Sequence, residues 1–364
     1  MDDHYEELLE LLKKIIETPS VTGNEKKVSD ILFKNLKEHH YSPKKIGYNV
    51  LCYGVNYNRK KPNLLLNAHM DTVKPVSGWT KNPFKATIEK GRLYGLGSND
   101  DSAGLVSLLH TFYELDKEDQ PYNPVFLATA EEEKNGAEGM KKIVNRRRKI
   151  KMDVALIGEP TGMQPAIAEK GLLVLDFKVK GVAGHAAREE GVNALYRAVD
   201  LIKKATELID KLRNHPFDRK SELLGNLKFT ITMINAGTQH NVIPDECTFT
   251  ADVRTNELYS NKEVLDIIKA ELPPYCEVTP RSLNLNSSRI PTTNPIIRKA
   301  LSMGLTPYGS PTLSDQAVLD CPSFKLGPGD SARSHTADEY IELDELKQAV
   351  PTYVKLLDGL NISE

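Results

Sequence analysis

A chain of 364 residues is longer than one hydrophobic core usually supports, so at least two domains are expected. Its 40% hydrophobic and 27% charged residues are ordinary globular values, and 48 basic against 50 acidic side chains leave a net charge of −2. Nothing in that balance calls for a nucleic acid or an anionic membrane as partner, and no apolar run approaches the roughly 18 residues of a membrane span.

The opening stretch, MDDHYEELLELLKKIIE, spaces its apolar residues as a helix does and ends before Pro19. Its acidic start and interrupted apolar centre do not make a secretory signal. The four cysteines (Cys52, Cys247, Cys276, Cys321) are scattered, with no C-x-x-C spacing. A reducing cytoplasm is the expected location. Thr22-Gly23-Asn24-Glu25 reads as a capping box opening a second helix. Strand-like runs follow at NLLLNAH, PVFLATA and DVALIGE, with a helical SAGLVSLLHTFYEL between the first two. Strands alternating with helices predict an α/β domain with a mixed, largely parallel sheet.

Near residue 172 the pattern changes. LLVLDFKVKG puts Leu173, Leu175, Phe177 and Val179 on one strand face. Helix NALYRAVDLIKKATELI, strands LKFTITMINAG and CTFTADVRT, helix NKEVLDIIKAEL and strand CEVTPRSL follow. This β-α-β-β-α-β order is a split βαβ, ferredoxin-like α+β sandwich. The α/β pattern resumes at NPIIRKALSMG, which predicts a discontinuous domain of residues 1–172 and 285–364 around an insert at 173–284.

The chemistry sits at the strand ends. In NLLLNAHMDTV an apolar run breaks into His69 and Asp71, two residues apart and so on one side of an extended segment. GLGSNDD supplies Asp100 and Asp101, LATAEEEKNG supplies Glu131 to Glu133, ALIGEPTG supplies Glu159, and GPGDSARSHTADEYI places His335 before the closing helix. Taken singly, each is an ordinary polar strand end, acidic turn or loop histidine. Open α/β sheets, however, bind ligands beyond the carboxyl ends of their strands. Two imidazoles and three carboxylates gathered there form an N/O donor set suited to Zn²⁺ or a similar divalent ion, with one carboxylate able to bridge two metals.

The motifs HMD, GLGSNDD, EEE, GEP and SHTADEY, in this order, closely resemble the zinc-dependent M20 metallopeptidase family, in particular its acetylornithine deacetylase and succinyl-diaminopimelate desuccinylase branch. The resemblance spans essentially the whole chain. It implies two Zn²⁺ per subunit, with Co²⁺ a possible substitute. His69 and Glu159 would hold one, Glu133 and His335 the other, and Asp100 both, with a cis bond at Asp100-Asp101. Asp71 would orient His69. Glu132 would be the general base, with Glu131 the alternative in the triple acid.

By the same resemblance the insert is a lid through which two copies dimerise. His185, in GVAGHAAREEGVNAL, would reach the partner's site and stabilise an oxyanion, while Asn241 and Arg254 would hold a substrate α-carboxylate. The activity implied is hydrolysis of a small N-acyl amino acid, N-acetyl-L-ornithine first, for arginine biosynthesis. N-succinyl-ornithine or N-succinyl-diaminopimelate, with Lys170 or Arg333 on the distal carboxylate, is the rival, and a dipeptidase or carboxypeptidase the next. A non-catalytic metal-binding module would dispense with Glu132, His185 and Arg254, and all three are present.

Overall fold

The computed structural model describes residues 2–146, 150–214 and 220–362. The chain forms two compact units: Met1–Ile167 with Arg289–Tyr308 and Ser314–Glu364, and Ala168–Ser288 with Gly309–Leu313.

In the first unit, the strands Lys44–Ile46, Asn49–Tyr53, Asn123–Thr129, Asn63–His69, Val154–Ile157 and Ser323–Lys325 lie side by side in that order. The last four run parallel to one another, and the first two are antiparallel additions, so the sheet is mixed as the alternation implied. Every residue of Asn63–His69 and Asn123–Thr129 is buried, which is why both read as apolar runs and not as alternating strands. Register pairs His69 with Thr129, so these two strands deliver their next residues at one level.

Helix Ser102–Leu115 packs on Asn63–His69 and Asn123–Thr129 and against helices Asp2–Ile16 and Leu343–Leu357. It is buried along its whole length up to Tyr113, as befits a helix with apolar residues on all sides. Within it His110 is 4% exposed, and its Nε2 has no hydrogen-bond partner among the described residues.

The capping box expected at Thr22 to Glu25 does not form. Helix Lys26–Glu38 starts after Glu25 with no side-chain cap. The Thr22 hydroxyl donates instead to Asp71 Oδ2 at 2.8 Å, and Glu25 Oε1 accepts the backbone N–H groups of Gly23 and Glu131. Bonds reaching across the fold prevail over the local pattern.

The second unit is a four-stranded antiparallel sheet in the order Lys228–Ala236, Glu246–Thr255, Gly171–Lys180, Cys276–Pro280. Helices Ala194–Asn214 and Asn261–Ala270 complete the β-α-β-β-α-β pattern. Here a capping box does form, between Ser260 and Glu263. Leu173, Leu175, Phe177 and Val179 enter its core, where Phe177 stacks on Phe249 at 4.5 Å.

Burial, with smaller contributions from His39 and His4, lowers the His110 imidazole to about 4. Between pH 6.5 and 4 the unfolded chain therefore takes up a proton that the folded chain refuses, so this residue destabilises the fold as pH falls. The full difference is on the order of 3 kcal/mol. His110→Leu should flatten the pH dependence of the urea midpoint in that window. An unchanged slope relative to wild type would refute the assignment.

Candidate metal centre

The polar strand ends of the first unit converge. His69 closes its strand 3% exposed, and its Nδ1 donates to the Asp71 backbone carbonyl at 2.9 Å. This bond fixes the ring and leaves Nε2 facing Asp100 Oδ1 at 3.1 Å. The other oxygen, Asp100 Oδ2, faces His335 Nε2 at 3.7 Å, and Glu133 Oε2 lies 3.0 Å from that same nitrogen. The two oxygens of one carboxylate thus look toward two different imidazoles, the disposition required of a bridging ligand.

The donors group twice. His69, Glu132 and Glu159 bring ligand atoms within 4.8 Å of one another, and so do His69, Asp100 and Glu133. Imidazole nitrogen and carboxylate oxygen suit a borderline divalent ion. The electrostatics agree with that fit. Burial and the nearby Glu159 raise Glu132 well above the usual carboxylate range. Burial also raises Asp101, which is 1% exposed. Burial would lower His69, yet its bonds to Asp100 and Asp71 outweigh this and hold it well above its usual value. The bond to Glu133 lifts His335 to about 9. So many acids share one site that protons stay where a dication would serve better.

Each donor has a local reason for its position. Asp71, 1% exposed, accepts the Glu132 N–H on Oδ1 at 3.0 Å and the Glu133 N–H on Oδ2 at 3.3 Å, so it orders the acidic turn as well as His69. Glu131 takes the left-handed conformation with φ 54°, and its carboxylate turns away to accept the Glu138 N–H. Glu132 and Glu133 are the acids left in the donor groups. Asp100 follows a turn in which Gly97 has φ +76°, and a Cβ there would lie 2.6 Å from Thr72. The Asp100-Asp101 peptide is cis, as the resemblance implied.

Several residues given no role from sequence belong to this centre. Glu339, 2% exposed, accepts three N–H groups of the Gly97 to Asp100 turn, and burial together with Asp100 raises it to about 7. Asn99 joins that turn to the segment before His335 through two bonds to the Asp330 backbone. Thr22 and Glu25 act through Asp71 and Glu131 as described above. Arg333 is engaged elsewhere: its guanidinium binds Glu345 in two bonds of 2.6 and 3.1 Å and lies over the Tyr340 ring.

The remaining expected residues lie in the second unit. His185 stands in a two-stranded ribbon pairing Gly184–His185 with Val242–Ile243, and its Nδ1 accepts the Ala187 N–H. Asn241 is beside it, its carbonyl accepting the Ala186 N–H. Arg254 is at the far end of strand Glu246–Thr255, roughly 26 Å along the strand from its Glu246 end at about 3.3 Å per residue. Its fork is bound to Asp252 at 2.8 and 3.1 Å. Lys170 keeps company with it: burial, Lys228 and Arg254 together lower the Lys170 ammonium. One chain therefore brings His185 to Asn241 and Lys170 to Arg254, but not Asn241 to Arg254.

The model of Peptidase family M20/M25/M40 matches residues 65–359. A protein named acetylornithine deacetylase from Proteus mirabilis is 26% identical over 381 aligned positions, covering 98% of this chain and 97% of the relative. In fold, aminopeptidase PepT of Bacillus cereus superposes with a TM-score of 0.76 at 20% identity, over 97% of this chain and 98% of its own. YXEP of Bacillus subtilis, described as a dinuclear metal-binding peptidase, reaches 0.70 at 17%, with 98% of each chain covered.

Loading with Zn²⁺ followed by elemental analysis should find two ions per chain. His69→Ala and Asp100→Ala should each lower that stoichiometry, and a chelator should lower the melting temperature of the wild type. Full zinc content in either variant would refute these residues as ligands.

Proposed function

Since the chain belongs to peptidase family M20/M25/M40, and so is a metal-dependent hydrolase of amide bonds, we propose that it removes the acyl group of a small N-acyl amino acid, with N-acetyl-L-ornithine as substrate. The observation that carries the reaction is Asp100 between two histidines, with the half-buried acid Glu132 in the adjoining donor group. The near full-length likeness to a protein named acetylornithine deacetylase supports the substrate and, with it, a place in arginine biosynthesis.

In this reading His69, Asp100 and Glu159 hold one Zn²⁺, and Asp100, Glu133 and His335 the other, with Co²⁺ able to substitute. The bound metals supply Lewis acidity to the acyl carbonyl and to the attacking water. Glu132 takes a proton from that water on its carboxylate and returns it to the departing amine nitrogen. Asp71 keeps the His69 Nε2 lone pair aimed and holds the backbone of Glu132, so one residue sets both ligand and base.

His185 stabilises the developing oxyanion, and Asn241 and Arg254 grip the α-carboxylate. Because the ribbon and Arg254 sit at opposite ends of one strand, a shared carboxylate needs His185 and Asn241 from one copy and Arg254 from the other. The proposal therefore includes a dimer through the second unit, and an exposed apolar face there supports it. Tyr196 and Val199 on its first helix, and Met233 and Ile234 on its edge strand, are all more than half exposed. The second reading is a succinyl group, favoured by the three cations Lys170, Lys228 and Arg254 gathered in that unit.

Amine release should be greatest with N-acetyl-L-ornithine in a panel that includes N-succinyl-L-ornithine, N-succinyl-diaminopimelate and a dipeptide. Glu132→Ala should cut turnover by about 10²-fold or more while retaining zinc. Preference for a succinyl compound transfers the assignment to the second reading, and an active Glu132→Ala refutes the base. Light scattering should give twice the chain mass, falling to one chain in Met233→Lys/Ile234→Lys. Mixing His185→Ala with Glu132→Ala chains should restore part of the activity. No recovery, with subunit exchange demonstrated, would overturn the shared site.

A further inference from the structure

The Gly95 to Asp100 turn is built to hold an anion, and the anion it holds is part of the same chain. Glu339 Oε2 accepts the Gly97 N–H at 3.0 Å, and Oε1 accepts those of Asn99 and Asp100, both at 2.9 Å. The Glu339 backbone carbonyl accepts a fourth, from Gly95, at 3.1 Å. Successive N–H groups turned to one side form a concavity that binds carboxylates and phosphates. A carboxylate buried with no such donors would cost several kcal/mol.

Two further ties join the same two segments. The Asn99 side chain accepts the Asp330 N–H at 3.0 Å and donates to the Asp330 carbonyl at 3.1 Å. Immediately after Glu339, strand Tyr340–Glu342 pairs antiparallel with Arg92–Tyr94. The segment carrying His335 is thus attached on both sides to the segment carrying Asp100, and Glu339 is the tie that reaches the Asp100 backbone itself.

We propose that Glu339 is a positioning residue of the metal centre: by gathering the N–H groups of Gly97, Asn99 and Asp100 it aims the Asp100 carboxylate between His69 and His335 and so sets divalent-metal affinity. The inference rests on the metal reading above and adds to it a residue that touches neither metal nor substrate. A plain structural anchor would affect folding alone. Asp116 provides that comparison. It is also buried, at 5% exposure, and its Oδ2 accepts a loop N–H, that of Val55, at 2.9 Å. It has no bond to any residue of the metal centre.

The variant Glu339→Gln keeps the size but puts an NH₂ where one carboxylate oxygen stood, so at least one backbone donor loses its acceptor. The full-length chain, freed of metal, is titrated with Zn²⁺ against a chromophoric chelator, and the melting temperature of each metal-free protein is measured in parallel. Glu339→Gln should bind at least one zinc about 10- to 100-fold more weakly than wild type. Its metal-free melting temperature should fall no further than that of Asp116→Asn, which should keep wild-type zinc affinity. Zinc affinity within about twofold of wild type in Glu339→Gln, or an equal loss in Asp116→Asn, would overturn the proposal. If Glu339→Gln does not fold, Glu339→Asp is titrated in its place. Its carboxylate is one methylene too short to span three donors, so weakened zinc binding is expected and wild-type affinity overturns the proposal. A wild-type chain that binds no zinc would refute the metal reading itself, and this inference with it.

Discussion

The carboxylate of Asp71 is the constraint on which the first unit's polar edge depends. It accepts two consecutive N–H groups of the Glu131 to Glu133 turn and the hydroxyl of Thr22, while the same residue's carbonyl receives the His69 ring. Three stretches far apart in sequence meet at one buried group. Because an unsolvated carboxylate is so costly, the loops are held to the arrangement that supplies its donors. Glu25 and Glu339 repeat the device: Glu25 accepts one N–H of the acidic turn, that of Glu131, with that of Gly23, and Glu339 accepts three of the Gly97 to Asp100 turn. The carboxylates of Asp71, Glu25 and Glu339 are each met here by main-chain N–H dipoles.

The same arrangement is electrostatically loaded. Glu132, Asp101 and Glu339 are all raised by burial and by neighbouring acids, and His335 is raised by Glu133. Functional sites commonly collect such perturbed groups, because the environment that shifts them also does the chemistry. The parallel strands make this concentration possible. Their shared direction and register bring His69, Glu131 to Glu133 and Glu159 out on one edge, and helix Ser102–Leu115 begins at the same edge after Asp101. A fully buried strand has no alternation to preserve, so its last residues are available for polar work at no cost to the core.

Much of the fold is legible in the chain. Helical spacing marks Asp2–Ile16, Ser102–Leu115 and Asn261–Ala270, and short apolar runs, Leu64 to Leu66 and Val125 to Ala128, mark the two central strands. The second unit's strand alternation, with Leu173, Leu175, Phe177 and Val179 inward, reads directly as a half-buried sheet. The failure at Thr22 to Glu25 is informative. Its pattern matches a capping box as well as the one at Ser260 to Glu263, yet only the latter closes. The difference lies 49 and 106 residues away, at Asp71 and Glu131, where no local rule can see it.

The sequence by itself determined the order and type of the elements, and that histidine and carboxylate stand at the strand ends, because periodicity and residue chemistry are properties of neighbours in the chain. Only the tertiary structure decided which oxygen of Asp100 faces which imidazole, and that Glu339 and Asn99 hold the turn presenting it. It also decided that Arg333 is spent on Glu345, and that Arg254 lies toward the end of strand Glu246–Thr255 remote from the ribbon beside Asn241. These are facts of strand register and of hydrogen bonds between distant residues, and such bonds exist only once the chain has closed on itself.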